Sequence, residues 1–144
     1  MTREKIKQMK KPLGFDSRVV HAGGSLDTPT GAINVPIYAT STYEQQAPGE
    51  HHGFEYSRTQ NPTRFAYERC VADLESGKHG FAFSSGMAAI NTIFDLLDYG
   101  SHVVAADDLY GGTHRVMSQV RKRTSGMEFS CVDFTNVDTV AAAI

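Results

Sequence analysis

The sequence predicts an α/β chain, an extended N-terminal arm followed by the first βαβ units of a mostly parallel sheet. Three observations carry this. Residues 12–62 hold all five prolines of the 144-residue chain and much of its Gly, Ser and Thr, with no repeating apolar period. From Asn61 onward, apolar residues recur at helical spacing. Between those stretches lie short apolar runs bounded by turn residues, the pattern of parallel strands joined by helical crossovers. On this reading residues 1–62 form the arm and residues 63–144 the first, incomplete part of a larger domain.

The chain opens with five Lys or Arg in Met1–Lys11 and no apolar stretch behind them, which reads as a solvated start rather than a secretory signal. Residues 12–62 are too many for one internal loop of a compact domain. They read as an extended arm whose aromatics, Phe15, Tyr38, Tyr43, Phe54 and Tyr56, need a partner surface to bury them. Val35-Pro36-Ile37-Tyr38 reads as a short extended piece within it. Asn61 is a good N-cap, and Pro62 suits the first helical position. Tyr67, Cys70, Val71 and Leu74 then follow at helical spacing, closed by Gly77. Phe81 to Ser84 reads as a short buried strand. Ile90, Ile93, Phe94 and Leu97 mark the next helix, ended near Gly100. His102–Ala106 reads as a second strand, Arg115–Lys122 as a helix with Val116 and Val120 on one face, and Glu128–Phe134 as a third strand. A last helical run, Asp138–Ile144, carries no closing signal, so the chain reads as the front part of a longer one.

Composition excludes several classes of function. The net charge of −2 gives no long-range attraction for nucleic acid or an anionic membrane. No apolar run approaches the roughly 20 residues of a membrane span. Cys70 and Cys131 lack metal-ligand spacing and read as core thiols in a reducing cytoplasm, so no metal site is expected.

Chemistry concentrates at three places. Ser84-Ser85-Gly86-Met87 joins an apolar run to a helix. Free N–H groups at such a helix start suit a phosphate, with Ser hydroxyls adding donors. A Ser-capped turn is the ordinary alternative. Asp107-Asp108-Leu109-Tyr110-Gly111-Gly112-Thr113 leaves the end of the second strand, where ligands of parallel α/β sheets sit. Tyr110 beside two glycines offers a flat aromatic face. Together the two loops describe a site for a phosphorylated aromatic cofactor. In the arm, Tyr56 and Arg58 stand two apart in an extended segment and project to one side, where a phenol and a forked guanidinium can grip one phosphate. No Gly-x-Gly-x-x-Gly or Walker-type lysine follows a strand, which argues against a nucleotide-binding domain.

Gly53-Phe54-Glu55-Tyr56-Ser57-Arg58, Asn61-Pro62-Thr63, Ser84-Ser85-Gly86-Met87-Ala88-Ala89 and Asp107–Thr113 occur here in one order and spacing. In this the chain resembles the pyridoxal-phosphate enzymes of Cys/Met metabolism, the transsulfuration group. Asp16–Gly23 and Pro36–Tyr43 extend the resemblance from about Asp16 to the end. It implies a fold-type I, aminotransferase-like domain, of which residues 63–144 are the first part, and pyridoxal 5′-phosphate as cofactor. By the same resemblance the cofactor-binding residues are Tyr56, Arg58, Ser85, Gly86, Met87 and Tyr110. The Gly86 and Met87 N–H groups hold the phosphate. Tyr110 stacks on the ring and assists proton transfer, as the catalytic residue. Tyr56 and Arg58 reach the phosphate of a neighbouring subunit, which implies a homotetramer built as a dimer of dimers. Glu55 faces the distal ammonium of cystathionine, and Arg115 lies near the substrate.

Within the group the motifs look most like those of γ-lyases, which turn L-cystathionine into cysteine, 2-oxobutanoate and ammonia. A γ-synthase, joining an activated homoserine to cysteine, stays open. The lysine that holds the cofactor covalently, and the aspartate under its ring nitrogen, fall beyond residue 144 in the family. None of Lys5, Lys7, Lys10, Lys11, Lys78 and Lys122 stands in the family's lysine context. If 144 residues are the natural length, the expectation is a non-catalytic half-site that pairs with a full-length subunit.

Overall fold

The computed structural model of the protein describes residues 13–24 and 30–144, so the reading of Met1–Lys11 lies outside the described residues. The chain forms two compact units, Met1–Ala82 and Phe83–Ile144.

The first unit holds more regular structure than the arm expected from sequence. Helix α1 spans Phe15–His21, with Asp16 in its first turn and Arg18 and His21 in its last, each on the side that the helix dipole favours. Its Arg18 Nε sits 2.8 Å from Asp73 Oδ2. After α1 the chain passes very close to the next helix. Gly23 has φ +74°, and a Cβ there would overlap the Ala66 carbonyl oxygen and lie 2.7 Å from the Cys70 nitrogen, so only glycine fits. Strands β1 (Gln45–Ala47) and β2 (Glu50–His51) form an antiparallel hairpin. Pro48 and Gly49, the latter at φ +81°, make its turn, the residue order of a type II turn. Thr42 bridges Tyr56 in the same antiparallel sense, with Tyr43 N–H donating to Glu55 O at 3.2 Å and Ser57 N–H to Ser41 O at 2.9 Å.

Helix α2 (Pro62–Leu74) starts where the sequence placed it. Asn61 Oδ1 accepts from the Thr63 and Arg64 N–H groups. Thr63 Oγ1 takes the Tyr38 N–H at 2.9 Å and donates to Pro36 O at 3.1 Å, which ties the Val35–Tyr38 piece to the helix start without a sheet ladder. The arm aromatics do not all wait for an outside partner. Tyr43 and Phe54 stack at 5.4 Å, and Phe54 meets Phe65 of α2 at 6.0 Å. Phe15, by contrast, stays 62% exposed.

In the second unit, α3 (Gly86–Phe94) leads to strand β3 (His102–Ala106). Then α4 (Gly111–Arg115), a π-helical stretch (Val116–Arg121) and α5 (Lys122–Ser125) run on as one helical rod. Gly126, at φ +61°, ends the rod. Strand β4 (Glu128–Val132) and helix α6 (Val137–Ala143, capped by Asn136) follow. Strands β3 and β4 pair in parallel from His102↔Glu128 to Ala106↔Val132, so the helical rod is the crossover of a βαβ unit. Phe94, Met117 and Met127 are buried, with Ile90, Val103, Ala105, Leu109, Val116 and Phe129 packed against them.

Four sequence expectations need correction. Phe81–Ser84 is not a strand among the described residues. An apolar run becomes a strand only with a ladder partner, and here Phe81 is 77% and Phe83 44% exposed. Cys131 is exposed rather than a core thiol, although its ladder partner Ala105 packs against the buried cluster. Strand β4 stops at Val132, where Asp133 turns the chain by accepting the Thr135 N–H and hydroxyl. The helix marked by Ile90 to Leu97 ends at Phe94, short of Gly100. Among the described residues no helix is long and apolar enough to cross a membrane.

Candidate functional site

The start of α3 is built by its own sequence. Ser85 is extended (φ −162°, ψ 160°), and its Oγ accepts the Ala88 N–H at 3.1 Å. Its carbonyl accepts from Ala89 N at 3.1 Å. The Gly86 and Met87 N–H groups therefore remain as the free donors of the first turn, with no acceptor among the described residues. A Cβ on Gly86 would meet open space. The protein's own packing does not use that room, and a phosphate group can. Two N–H donors at the positive end of a nine-residue helix suit such an anion.

Tyr110 caps α4 with its backbone. Its carbonyl accepts from Thr113 N at 2.9 Å and His114 N at 3.2 Å, while its side chain is free and 74% exposed. The ring leans over Gly112. A Cβ at 112 would stand 2.6 Å from Tyr110 Cε1 and 3.3 Å from Met87 Sδ, so the glycine is what lets the ring lie there. Thr113, buried at 6% exposure, donates its hydroxyl to Met87 Sδ at 3.6 Å. The thioether of Met87 thus joins the two loops singled out by sequence, and the free donors of α3 and the Tyr110 ring belong to one neighbourhood. A phosphorylated aromatic ring matches that donor set: an anion for the N–H pair and a flat face for Tyr110.

The first unit carries its own group. Tyr56 and Arg58 do not lie in the extended segment expected from sequence. Residues 57–59 form a turn closed by Thr59 N–H on Tyr56 O at 3.0 Å. The turn brings the guanidinium to 5.2 Å from the ring centroid, a cation–π contact. Arg64 fixes their loop by donating to the carbonyls of Ser57 and Arg58, each at 3.3 Å, and of Thr59 at 2.6 Å. Asn61 Nδ2 donates to Ser57 Oγ at 3.1 Å, and Ser57 Oγ donates to Thr40 O. Glu55 is exposed beside Tyr56, and Arg115 is exposed at the end of α4; neither forms an ion pair among the described residues. Lys122 Nζ is paired with Glu128 Oε2 at 3.2 Å.

Two residues that hold these loops escaped the sequence reading, Asn91 and Arg121, and Thr113 was read there as part of the Tyr110 motif without its bond to Met87. Asn91 Nδ2 donates to the Met87 carbonyl at 2.9 Å, and Arg121 grips Asn91 from the helical rod. Asn91 stands four residues after Met87, a spacing that a search for side-chain-to-backbone bonds along α3 could have flagged. Nothing in the local sequence marks Arg121.

Comparison with known proteins bears on the family and the fold. A family model described as Cys/Met metabolism PLP-dependent enzyme matches residues 16–144. The chain is 62% identical over 130 residues to a cystathionine beta-lyase of Coxiella burnetii, covering 90% of this chain and 34% of that protein. It is 52% identical over 126 residues to a cystathionine gamma-lyase of Bacillus subtilis, covering 88% and 33%. The crystal structure of cystathionine gamma-lyase from Lactobacillus plantarum, complexed with L-serine, superposes with a TM-score of 0.83 at 48% identity, over 92% of this chain and 34% of that one. The chain thus spans about a third of the length of these relatives. The order of the motifs, the mixed α/β fold with its parallel strand pair and the family match converge: the chain belongs to the Cys/Met metabolism PLP-dependent enzymes.

Proposed function

We propose that this chain contributes the phosphate cradle and ring platform of a cytoplasmic transsulfuration enzyme that cleaves L-cystathionine, with water, to cysteine, 2-oxobutanoate and ammonia. The observation that carries the reading is Met87: its backbone N–H is a free donor at the start of α3, and its sulfur lies against the loop that bears Tyr110. The roles follow from the groups present. The Gly86 and Met87 N–H groups bind the cofactor phosphate, with Ser85 holding the turn open. Tyr110 would offer its exposed ring face to the cofactor's ring and its phenol as a group that can pass a proton to or from the substrate. Pyridoxal 5′-phosphate supplies the electron sink for the bonds broken at the substrate.

Residues 1–62 act as an arm whose Tyr56 and Arg58 complete the phosphate site of a neighbouring subunit in a homotetramer. The phenol and guanidinium already stand together, and Arg64 holds their backbone. Glu55 offers a carboxylate to the distal ammonium of cystathionine, and Arg115 a cation to a substrate carboxylate. A γ-synthase reaction uses the same residues with an activated homoserine.

A second reading, β-elimination to homocysteine, pyruvate and ammonia, is favoured by the 62% identity to the Coxiella burnetii protein. Product analysis separates the readings. The holoenzyme is incubated with L-cystathionine, and the oxo acid is identified. We expect 2-oxobutanoate with free cysteine; pyruvate with homocysteine means the β-lyase. Turnover of succinyl- or acetylhomoserine plus cysteine, without cleavage of cystathionine, means the γ-synthase.

A further inference from the structure

Arg121 lies at the end of the π-helical stretch in the rod that starts just after Tyr110. Its side chain is only 16% exposed. Nη1 pairs with Asp95 Oδ1 at 2.6 Å. Nη2 donates to both the carbonyl and the Oδ1 of Asn91, each at 3.1 Å. The guanidinium stands 5.9 Å from the Phe94 ring centroid. Asn91 in turn donates from Nδ2 to the Met87 carbonyl, 2.9 Å away. One arginine on the second helix therefore holds the first helix at Asn91 and Asp95, and through Asn91 reaches the first turn.

The π-helical stretch is what aims it. A π turn inserts one residue into the α-helical repeat. Without it, side chain 121 would be displaced around the helix by about 100° and would miss α3. The arrangement also carries a cost: Arg121 Nε is buried with no hydrogen-bond partner among the described residues. A buried unpaired donor destabilises, and an arginine kept under that penalty points to a requirement of geometry.

We infer that Arg121 is a positioning residue. By clamping α3 to the rod through Asn91 and Asp95, it sets the spacing between the phosphate-binding donors of Gly86 and Met87 and the ring of Tyr110. This rests on the cradle reading above. A ligand carrying both a phosphate and a ring gains from both sites at once only when their spacing is right, whereas a ring without phosphate can seat on Tyr110 alone.

The test uses two probes without an aldehyde, so covalent attachment plays no part: 4′-deoxypyridoxine 5′-phosphate and its unphosphorylated parent, 4′-deoxypyridoxine. Dissociation constants are measured by calorimetry on the full chain. For Arg121→Met, which keeps an apolar stem over Phe94, we expect the phosphorylated probe to weaken roughly tenfold and the parent to hold within about twofold. Arg121→Lys keeps a charge beside Asp95 but lacks the fork that reaches Asn91, and should lose roughly threefold, again only with the phosphorylated probe. The lysine variant decides the matter if the methionine variant does not fold. A merely structural role would weaken both probes alike or neither, and either result overturns the inference while leaving the cradle standing. If the unaltered chain shows no preference for the phosphorylated probe, the cradle reading falls and this inference with it.

Discussion

The two units are held together by different chemistry. In Phe83–Ile144 the buried residues Phe94, Met117 and Met127 make a small apolar core under a parallel strand pair. In Met1–Ala82 the buried hydrophobic residue among those described is Ala72 alone. Order there comes from polar side chains laid onto irregular backbone. Asn61 reaches Tyr38 O, Ser57 Oγ and two N–H groups. Arg64 holds three successive carbonyls, and Arg69 donates twice to Gly23 O at 3.3 and 3.0 Å. A core tolerates small shifts in its polar edge and fails when volume is removed. A stitched segment fails when a single multiply bonded polar group is lost, because the carbonyls and N–H groups it served have no regular ladder to fall back on. The two regions therefore break under different substitutions.

The largest expected effect is in the second unit. Phe94 is 6% exposed and meets Phe129 edge-on at 5.8 Å between centroids. Phe94→Ala should cost about 3 kcal/mol or more. Urea unfolding combined with amide hydrogen exchange reads it: β3 and β4 should lose protection, while the Asn61 region keeps its own. A uniform loss across both units would mean that they unfold as one, and the contrast between them would fail.

Next in size is Asn61→Ala. It removes the N-cap of α2 and the bonds to Tyr38 and Ser57 together, which should cost about 1–2 kcal/mol. Exchange should speed up at the Thr63 and Arg64 amides and at Ser57, and leave β3 and β4 unchanged. Protection at Ser57 and Thr63 equal to that of the parent chain would show that Asn61 only decorates the segment.

The same contrast explains what the sequence revealed. Asn61-Pro62 and Ser84-Ser85-Gly86-Met87 were legible because a cap is a local event: the residue that starts the helix is its own signal. The Tyr56/Arg58 pair was picked out for the alternation of an extended chain, but the two meet across a turn, in which Tyr56 O accepts from Thr59 N at 3.0 Å and Gln60 N at 2.8 Å. The residues were legible and the reason for their meeting was not. The hairpin had a readable signal in Pro48-Gly49, since that dipeptide favours a type II turn, but its strands are too short and polar to show a period. Helix α1 has seven residues with a glycine at its cap and no side-chain bond there, so its start signal is weak. Phe81–Phe83 misled because an apolar run reports a preference for burial and not a ladder partner. The π-helical stretch and the grip of Arg121 on Asn91 were out of reach, since both depend on how one helix lies against another. Of the candidate site, the donors and the aromatic face could be read from sequence, whereas the groups that fix their spacing could not.

The smallest expected effect sharpens the contrast at a polar turn that follows the apolar strand pair. Asp133 accepts the Thr135 hydroxyl at 2.6 Å and its N–H at 2.8 Å. The side-chain bond from Thr135, then the backbone one, hold the carboxyl below its ordinary range, against a slight opposing effect of burial. A carboxylate with a depressed native pKa stabilises the fold at every pH above its unfolded value, and that contribution fades as pH falls through the native one. Asp133→Asn should therefore loosen the turn slightly at neutral pH, and the difference from the parent should vanish on acidification below the usual carboxylate range. Exchange at the Thr135 amide, followed from neutral to acid pH in both proteins, measures it. A difference that persists unchanged into acid would assign the turn's order to shape alone, in which case the polar stitching that governs the first unit would have no counterpart at this turn.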